Sequence, residues 1–176
     1  MKTGTGRHLW IIKFLVVLLL VCRSFFSFAQ LPTDSLPPDP GAISVYTVQN
    51  MAFGGFSTAN AGGTVVLSTS GTRSTTGSVV PLNLGISYYQ AIFEILGPVG
   101  TIITILNGPD ATLTGSNGGS MTLTIGASNP ASPFTTTVAP PGRTQVSIGG
   151  TLNVGSAAAN PPGNYSGTFY ITFNQQ

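Results

Sequence analysis

The stretch Gly163-Asn-Tyr-Ser-Gly-Thr-Phe-Tyr-Ile-Thr-Phe-Asn-Gln-Gln176 carries the clearest fold signal in the chain. From Tyr165 onward the apolar side chains occupy alternate positions, with Gly167 in the series and Tyr170 as the only large exception. A period of two over this length indicates a β-strand with one face in a core. The preceding Asn160-Pro-Pro-Gly163 is a strong turn signal. We therefore predict a strand over residues 164–174.

Upstream of this stretch, back to Ala42, short β-branched and aromatic runs alternate with turn residues, which is typical of an all-β sandwich or barrel. The other predicted strands are residues 42–48, 63–69, 76–80, 90–96, 101–106, 111–114, 120–126, 134–138, 143–148 and 151–154. The predicted turns include Ser70-Gly71, Asn107–Pro109, Asn117–Gly119, Asn129-Pro130, Pro140–Gly142 and Gly149-Gly150. Residues 101–106 are apolar on both faces, so we expect a strand that is central and buried on both sides, or bulged. Residues 42–176 should form one domain.

The N-terminal residues 1–29 have the composition of a secretory signal peptide. A basic region precedes the apolar run 14–21, and small residues at Ser27 and Ala29 predict cleavage before Gln30. The basic region contains Lys2, Arg7, His8 and Lys13. We expect export to the periplasm, the cell surface or the medium, without a membrane span in the mature chain. The alternative is a retained N-terminal anchor.

Residues 30–41 contain four prolines and are predicted to be a linker that cannot pair as a central strand. Within it, Asp34-Ser35-Leu36 resembles the O-glycosylation acceptor of some Gram-negative secretion lineages. The alternative is that Ser35 belongs to an unmodified linker.

Removal of the predicted signal takes away every lysine and the only cysteine, histidine and tryptophan. Arg73 and Arg143 then stand against four carboxylates, which gives a net charge of −2. Binding to phosphate backbones needs clustered cations, so nucleic acid is not an expected partner. Such a weakly charged surface lacks the repulsion that keeps monomers apart, which favours a protein that sits in an assembly or on a surface.

The mature residues also lack the side chains from which most catalytic and metal sites are built. Without His, Lys or Cys, neither an activated nucleophile nor a zinc site is available. No Asp-x-Asp spacing indicates calcium. Glu94 is the only carboxylate in a predicted strand, and we expect it to pair with Arg73 or Arg143, or to face solvent, rather than to act as a catalytic acid. We predict no enzyme, no cofactor and no metal.

Several motifs occur together in a characteristic order. They are Met51-Ala-Phe-Gly-Gly-Phe56, Gly62–Ser68, Ser70-Gly-Thr-Arg-Ser-Thr-Thr-Gly77, Ala91–Gly97, Ile148–Val154 and Pro162–Phe169. As a set they resemble the secreted bacterial domain-of-unknown-function family 4402 over nearly all of residues 43–176. That family has no established catalytic residues, so the resemblance implies none here.

The Gly163-x-Tyr165-x-Gly167 strand is also similar to the C-terminal strand of spore-coat-U-type and archaic chaperone–usher pilins. In those proteins an incomplete immunoglobulin-like sandwich is completed by the N-terminal strand of a neighbour. The resemblance implies an immunoglobulin-like β-sandwich with a structural or adhesive role, assembling into fibres with itself or with other surface subunits.

In the fibre hypothesis, residues 42–48 are donated to a partner, or replaced by a partner's strand, beside residues 164–174. The candidate interface residues are Ile43, Val45, Thr47, Gly163, Tyr165, Phe169, Ile171 and Phe173. Two alternatives stay open. One is a self-complete monomer with 42–48 as its own first strand. The other is a carbohydrate- or protein-binding module, for which Tyr88 and Tyr89 supply one ring on each side of a strand.

Overall fold

The computed structural model describes residues 41–176, so the predicted signal, its cleavage site, Ser35 and the linker up to residue 40 lie outside the described residues. Within the described residues all elements of regular secondary structure are β-strands, and all pairings between these strands are antiparallel. The strands are β1 (Ser44–Gln49), β2 (Ala52–Phe53), β3 (Phe56–Ser57), β4 (Gly63–Leu67), β5 (Arg73–Gly77), β6 (Val80–Pro81), β7 (Tyr88–Tyr89), β8 (Ala91–Leu96), β9 (Ile102–Asn107), β10 (Ala111–Gly115), β11 (Ser120–Asn129), β12 (Phe134–Thr135), β13 (Thr144–Val154), β14 (Tyr165–Ser166) and β15 (Ile171–Gln175). The predicted all-β, antiparallel fold is confirmed.

The main sheet is organised around β13, the longest strand. On one side, its first half pairs with β8 and its second half pairs with β4, while β11 runs along the opposite side. The strand order is β1-β8-β13-β11-β10-β14, with β5 outside β4. Strands β1 and β14 therefore lie at opposite ends of this order.

A smaller sheet has the order β12-β9-β15. The ring of Phe173 on β15 lies 5.4 Å from the ring of Phe93 on β8, centroid to centroid, so β15 packs across from β8. Two short ladders, β2 with β7 and β3 with β6, join residues 52–57 to residues 80–89.

The core follows from alternation along the long strands. On β11, Met121, Leu123 and Ile125 are buried whereas Thr122 and Thr124 between them are exposed, as a strand with one covered face requires. The buried apolar residues are Phe53, Val65, Leu67, Val79, Ala91, Ile95, Ile103, Ile105, Ala111, Met121, Leu123, Ile125, Val146, Ile148, Leu152 and Val154. Burial of a large aliphatic side chain contributes about 1.5–3 kcal/mol, so these residues supply most of the stabilisation.

Asn160 is a buried polar side chain, 5% exposed, that joins two parts of the main sheet. Its side-chain oxygen accepts a hydrogen bond from the Gly155 N–H, and its amide donates to the Ser120 carbonyl at 2.7 Å. Burying an amide is tolerated when both ends are bonded in this way. Asn160 thus fixes the connection between β13 and β14 against the start of β11.

The predicted single strand over 164–174 is wrong. Residues 165–166 pair with β10 in the main sheet, whereas residues 171–175 pair with β9 in the smaller one. Between them Gly167 lies against β10, where a Cβ atom would meet the Thr112 carbonyl, and the Tyr170 carbonyl accepts from Gly108 N–H at 2.9 Å. The chain changes sheets here while its apolar alternation continues.

The predicted turn at Gly149-Gly150 is also wrong, because β13 runs through both glycines. Both are buried, and a Cβ on Gly149 would meet the carbonyl oxygen of Leu67 in β4. At Gly150 the nearest atom is the Met51 sulfur, 2.9 Å from such a Cβ. These glycines permit close packing inside a strand rather than a change of direction.

Other boundaries differ as well. The predicted strand 76–80 is replaced by β5 and β6, and β2, β3 and β7 were not predicted. Strand β9 is central in its sheet as predicted, but it is buried on one face only. Ile103 is fully buried, whereas Ile102 and Leu106 are about half exposed, at 46% and 51%.

Candidate assembly site

Strand β1 forms one end of the main sheet, and among the described residues it pairs only with β8. Val45 lies opposite the buried Ile95 and Thr47 lies opposite Phe93, so both project toward the core side of the sheet. Val45 is nevertheless 40% exposed, and Thr47 is exposed. The core-facing side of β1 is therefore only partly covered.

Strand β15 forms the corresponding end of the smaller sheet, and in the described part of the chain it pairs only with β9. The Tyr170 carbonyl and the Gln176 N–H both bond toward β9. Because backbone groups alternate in direction along an antiparallel strand, those of Ile171 and Phe173 point away from β9. This edge of β15 offers hydrogen-bonding groups to a further strand.

The side chain of Gln175 links the two edges. Its amide nitrogen donates to the Gly41 carbonyl at 2.7 Å, and its oxygen accepts from the Ile43 N–H at 3.1 Å. The primary amide of Gln175 thus both donates to and accepts from the backbone just before β1, as the peptide groups of a neighbouring strand do. We call the surface formed by residues 43–49 and 171–175 the β1–β15 flank.

On the outer face of β1, a small charged cluster sits beside the flank. Arg143 donates to Glu94 at 3.0 Å, and its guanidinium carbon lies 4.0 Å from the centre of the Tyr46 ring. The pairing of Glu94 with one of the two arginines is confirmed. Both charged side chains are partly exposed, so the ion pair contributes at most about 1 kcal/mol.

The predicted interface residues lie in three places. Ile43, Val45 and Thr47 lie on the β1 side of the flank, and Ile171 and Phe173 lie on its β15 side. Gln175 connects the two sides through Ile43, and Phe173 packs against Phe93 of β8. Phe169 is partly buried against the core.

Gly163 and Tyr165 lie elsewhere, at the β10–β14 end of the main sheet. The Tyr165 hydroxyl donates to the Pro161 carbonyl at 2.7 Å, and a Cβ on Gly163 would come 2.8 Å from the Ser116 hydroxyl. Within this chain residues 44–49 pair with 91–96, as the self-complete alternative expects, whereas a partner's strand beside 164–174 stays a prediction.

A family model described as domain of unknown function DUF4402 matches residues 43–174, which are nearly all the described residues. The chain belongs to the DUF4402 family. Searches of the curated proteins and of the solved structures gave no significant match.

Two motifs of this DUF4402 domain meet at Arg73. Its guanidinium donates to the carbonyls of Phe53 at 2.9 Å and Gly55 at 3.1 Å, and it covers the Tyr88 ring at 4.3 Å. Gly54 between them has φ +71°, and a Cβ there would lie 2.7 Å from the guanidinium. Arg73 thus holds residues 51–56 and β7 together, which is a structural task for this cation.

Four exposed tyrosines bear on the binding-module alternative. Tyr46, Tyr88, Tyr89 and Tyr170 are 39%, 44%, 37% and 70% exposed. They lie on β1, on β7 and just before β15, and arginines cover the rings of Tyr46 and Tyr88. Tyr170 is the most accessible ring for stacking on a sugar.

Within residues 41–176 of the DUF4402 protein, no three His, Cys, Asp or Glu side chains cluster as metal ligands. No helix of these residues is long and apolar enough to cross a membrane.

Proposed function

We propose that this protein is a secreted or cell-surface structural subunit whose immunoglobulin-like β-sandwich assembles by strand complementation at the β1–β15 flank. In this proposal residues 1–29 direct export and are removed after Ala29. The partner is another copy or another surface subunit. Backbone hydrogen bonds to an extended segment supply the affinity, and alternate side chains supply the fit.

The observation that carries the proposal is the lack of protection at the two strand edges of this flank. Proteins usually blunt exposed edges with short strands, prolines, bulges or charged side chains. Strand β1 has six residues and β15 has five, and neither contains a charged residue or a proline. Strand β1 does carry a bulge, but it is confined to its end, between Thr47 and Gln49.

Other edges of the described sheets do have such protection. Strands β12 and β14 are two residues long, β6 contains Pro81, and β5 begins with Arg73. The flank thus differs from the rest of the domain. Its exposed core-facing residues, Val45 and Thr47, add a surface that a further apolar strand could cover.

Size exclusion and SDS gels of residues 30–176, with and without boiling, test the proposal. We expect a ladder of oligomers that resists SDS and disappears on boiling. Deletion of 30–48 should abolish it, whereas deletion of 30–41 alone, which retains β1, should not. A single monomeric species that unfolds cooperatively and ignores a synthetic 42–48 peptide overturns the proposal.

The alternative, a self-complete module that binds carbohydrate or protein, is supported by the pairing of residues 44–49 with their own β8. This alternative predicts a single monomeric species that unfolds cooperatively. A glycan array then tests it directly, with Tyr170→Ala as the variant, because this ring is the most exposed.

A further inference from the structure

We infer that β1 is an exchangeable strand: residues 42–49 leave β8 of their own copy and take the same place on β8 of a second copy of this chain. This inference rests on the proposed function and names its partner and its donated segment.

The first step concerns the choice of donor. The four prolines of residues 30–41 predict no central strand there, and β2 to β14 are each joined to the described domain at both ends. Strand β1 is the first described strand, so among the described residues only its C-terminal end leads to another strand. Strand β15 also has an open edge, but its Ile171 and Phe173 both pack against the core, whereas Ile43 is the only residue of 42–49 that does so. Of the segments considered, β1 requires the least disruption.

The second step concerns how weakly β1 is held. It has one strand partner, and the residues Val45, Tyr46 and Val48 are 40%, 39% and 55% exposed to solvent. By contrast, Val146 and Ile148 on β13 are fully buried, and Ile148 is paired with a neighbouring strand on both sides. Segments with few buried apolar contacts open at the lowest free energy.

The third step concerns the acceptor. The position that β1 leaves is bordered by β8, and its contacts are made by residues outside β1. Phe93 and Ile95 pair with it, Gly97 packs against Ile43, Arg143 covers Tyr46, and Gln175 binds residues 41 and 43. A second copy offers the same set, so exchange loses no contact.

The connection to the rest of the domain also suits exchange. Strand β1 has a bulge between Thr47 and Gln49, and only Asn50 and Met51 separate it from β2. Short connections favour exchange between copies over closure within one copy. The small net charge of the mature residues adds little repulsion between copies.

A cross-strand disulfide decides between exchange and retention. Ser44 and Leu96 are directly paired across β1 and β8, at a separation of side chains that a disulfide can bridge. Residues 30–176 contain no natural cysteine, so S44C/L96C creates the only possible bond. Within one copy the bond is intrachain, and after exchange it joins two copies.

The variant is refolded at several protein concentrations, oxidised and run on a non-reducing gel after boiling. We expect covalent dimers and higher oligomers that increase several-fold with concentration and collapse to monomer on reduction. The control T112C/T122C, in the β10–β11 hairpin, should stay monomeric because both strands are internal to one copy. The single variants S44C and L96C measure chance bonding. If the first pair does not fold, Y46C/E94C repeats the test at the next pair on that face.

The outcomes separate the two proposals. An intrachain bond at every concentration, together with heat-labile ladders of the unmodified chain, overturns exchange of β1 but leaves strand addition beside β15. An intrachain bond without ladders overturns both. Interchain bonding no greater than that of the single variants also overturns the inference.

Discussion

Replacement of Gln175 by alanine should loosen β1 without unfolding the domain. The Gln175 side chain forms two hydrogen bonds to the backbone of residues 41 and 43, and the substitution removes both. Gln176 provides a matched control. It is the neighbouring residue and also exposed, but its structural bond to the Ile102 carbonyl comes from its backbone N–H and survives substitution.

The expected magnitude follows from the two bonds. A net hydrogen bond contributes about 0.5–1.5 kcal/mol, and solvent partly replaces bonds at an exposed site. We therefore expect Gln175→Ala to lower the free energy of opening β1 by about 1–2 kcal/mol. That raises the open population about 5–30-fold. Gln176→Ala should change it little.

Native-state hydrogen exchange measures this opening directly. Amides of residues 44–49 that bond to β8 should exchange faster in Gln175→Ala, while those of β13 should keep their protection. If β1 amides exchange no faster than in Gln176→Ala, the side chain of Gln175 does not hold the strand. If β1 and β13 accelerate together, the bonds support the whole domain and β1 is not a separate opening unit.

Three further substitutions test the fold. Lysine cannot bind the two carbonyls that the Arg73 guanidinium binds, so Arg73→Lys should destabilise the domain by about 2–3 kcal/mol. Arg143→Lys changes an exposed ion pair and should cost less than about 1 kcal/mol. Urea unfolding measures both changes. The added methyl group of Gly149→Ala meets backbone atoms, so this substitution should lower the free energy of unfolding by at least about 1–3 kcal/mol. The methyl group of Gly150→Ala meets side chains that can move, so the loss should be smaller. Equal shifts in the thermal midpoints of the two variants would contradict this. Asn160→Asp places a carboxylate against a carbonyl, which raises the pKa of the new acid. Its cost, about 2–3 kcal/mol at neutral pH, should diminish as pH falls through that raised pKa; a cost independent of pH would contradict this.

The sequence was informative where a local pattern decides the structure. Turns at Ser70-Gly71 and Asn117–Gly119 join β4 to β5 and β10 to β11, and alternation located the buried side of β11. These features depend on residues close together in the chain, for which turn chemistry and a period of two are sufficient.

The errors arose where the outcome depends on distant residues. Alternation over 164–174 does not reveal that the chain changes sheets at Gly167, because the side chains face the same core before and after the change. Gly149-Gly150 has the local sequence of a turn, although the close approach of β4 is what requires glycine at position 149. The sequence does not single out Gln175, because this residue is polar and exposed and nothing local indicates that its amide reaches residues 41 and 43.

The contrast between edges gives the assembly proposal its physical basis. A chain this poor in charge cannot protect every edge with lysine, and among the described edges it uses short strands, Pro81 and Arg73 instead. The longest edge, β1, has only a bulge at one end and pairs with β8 alone. An edge that binds nothing would carry an aggregation risk that a single lysine could remove. A partner strand removes the same risk by covering the edge, and in that case a charge there would interfere with function.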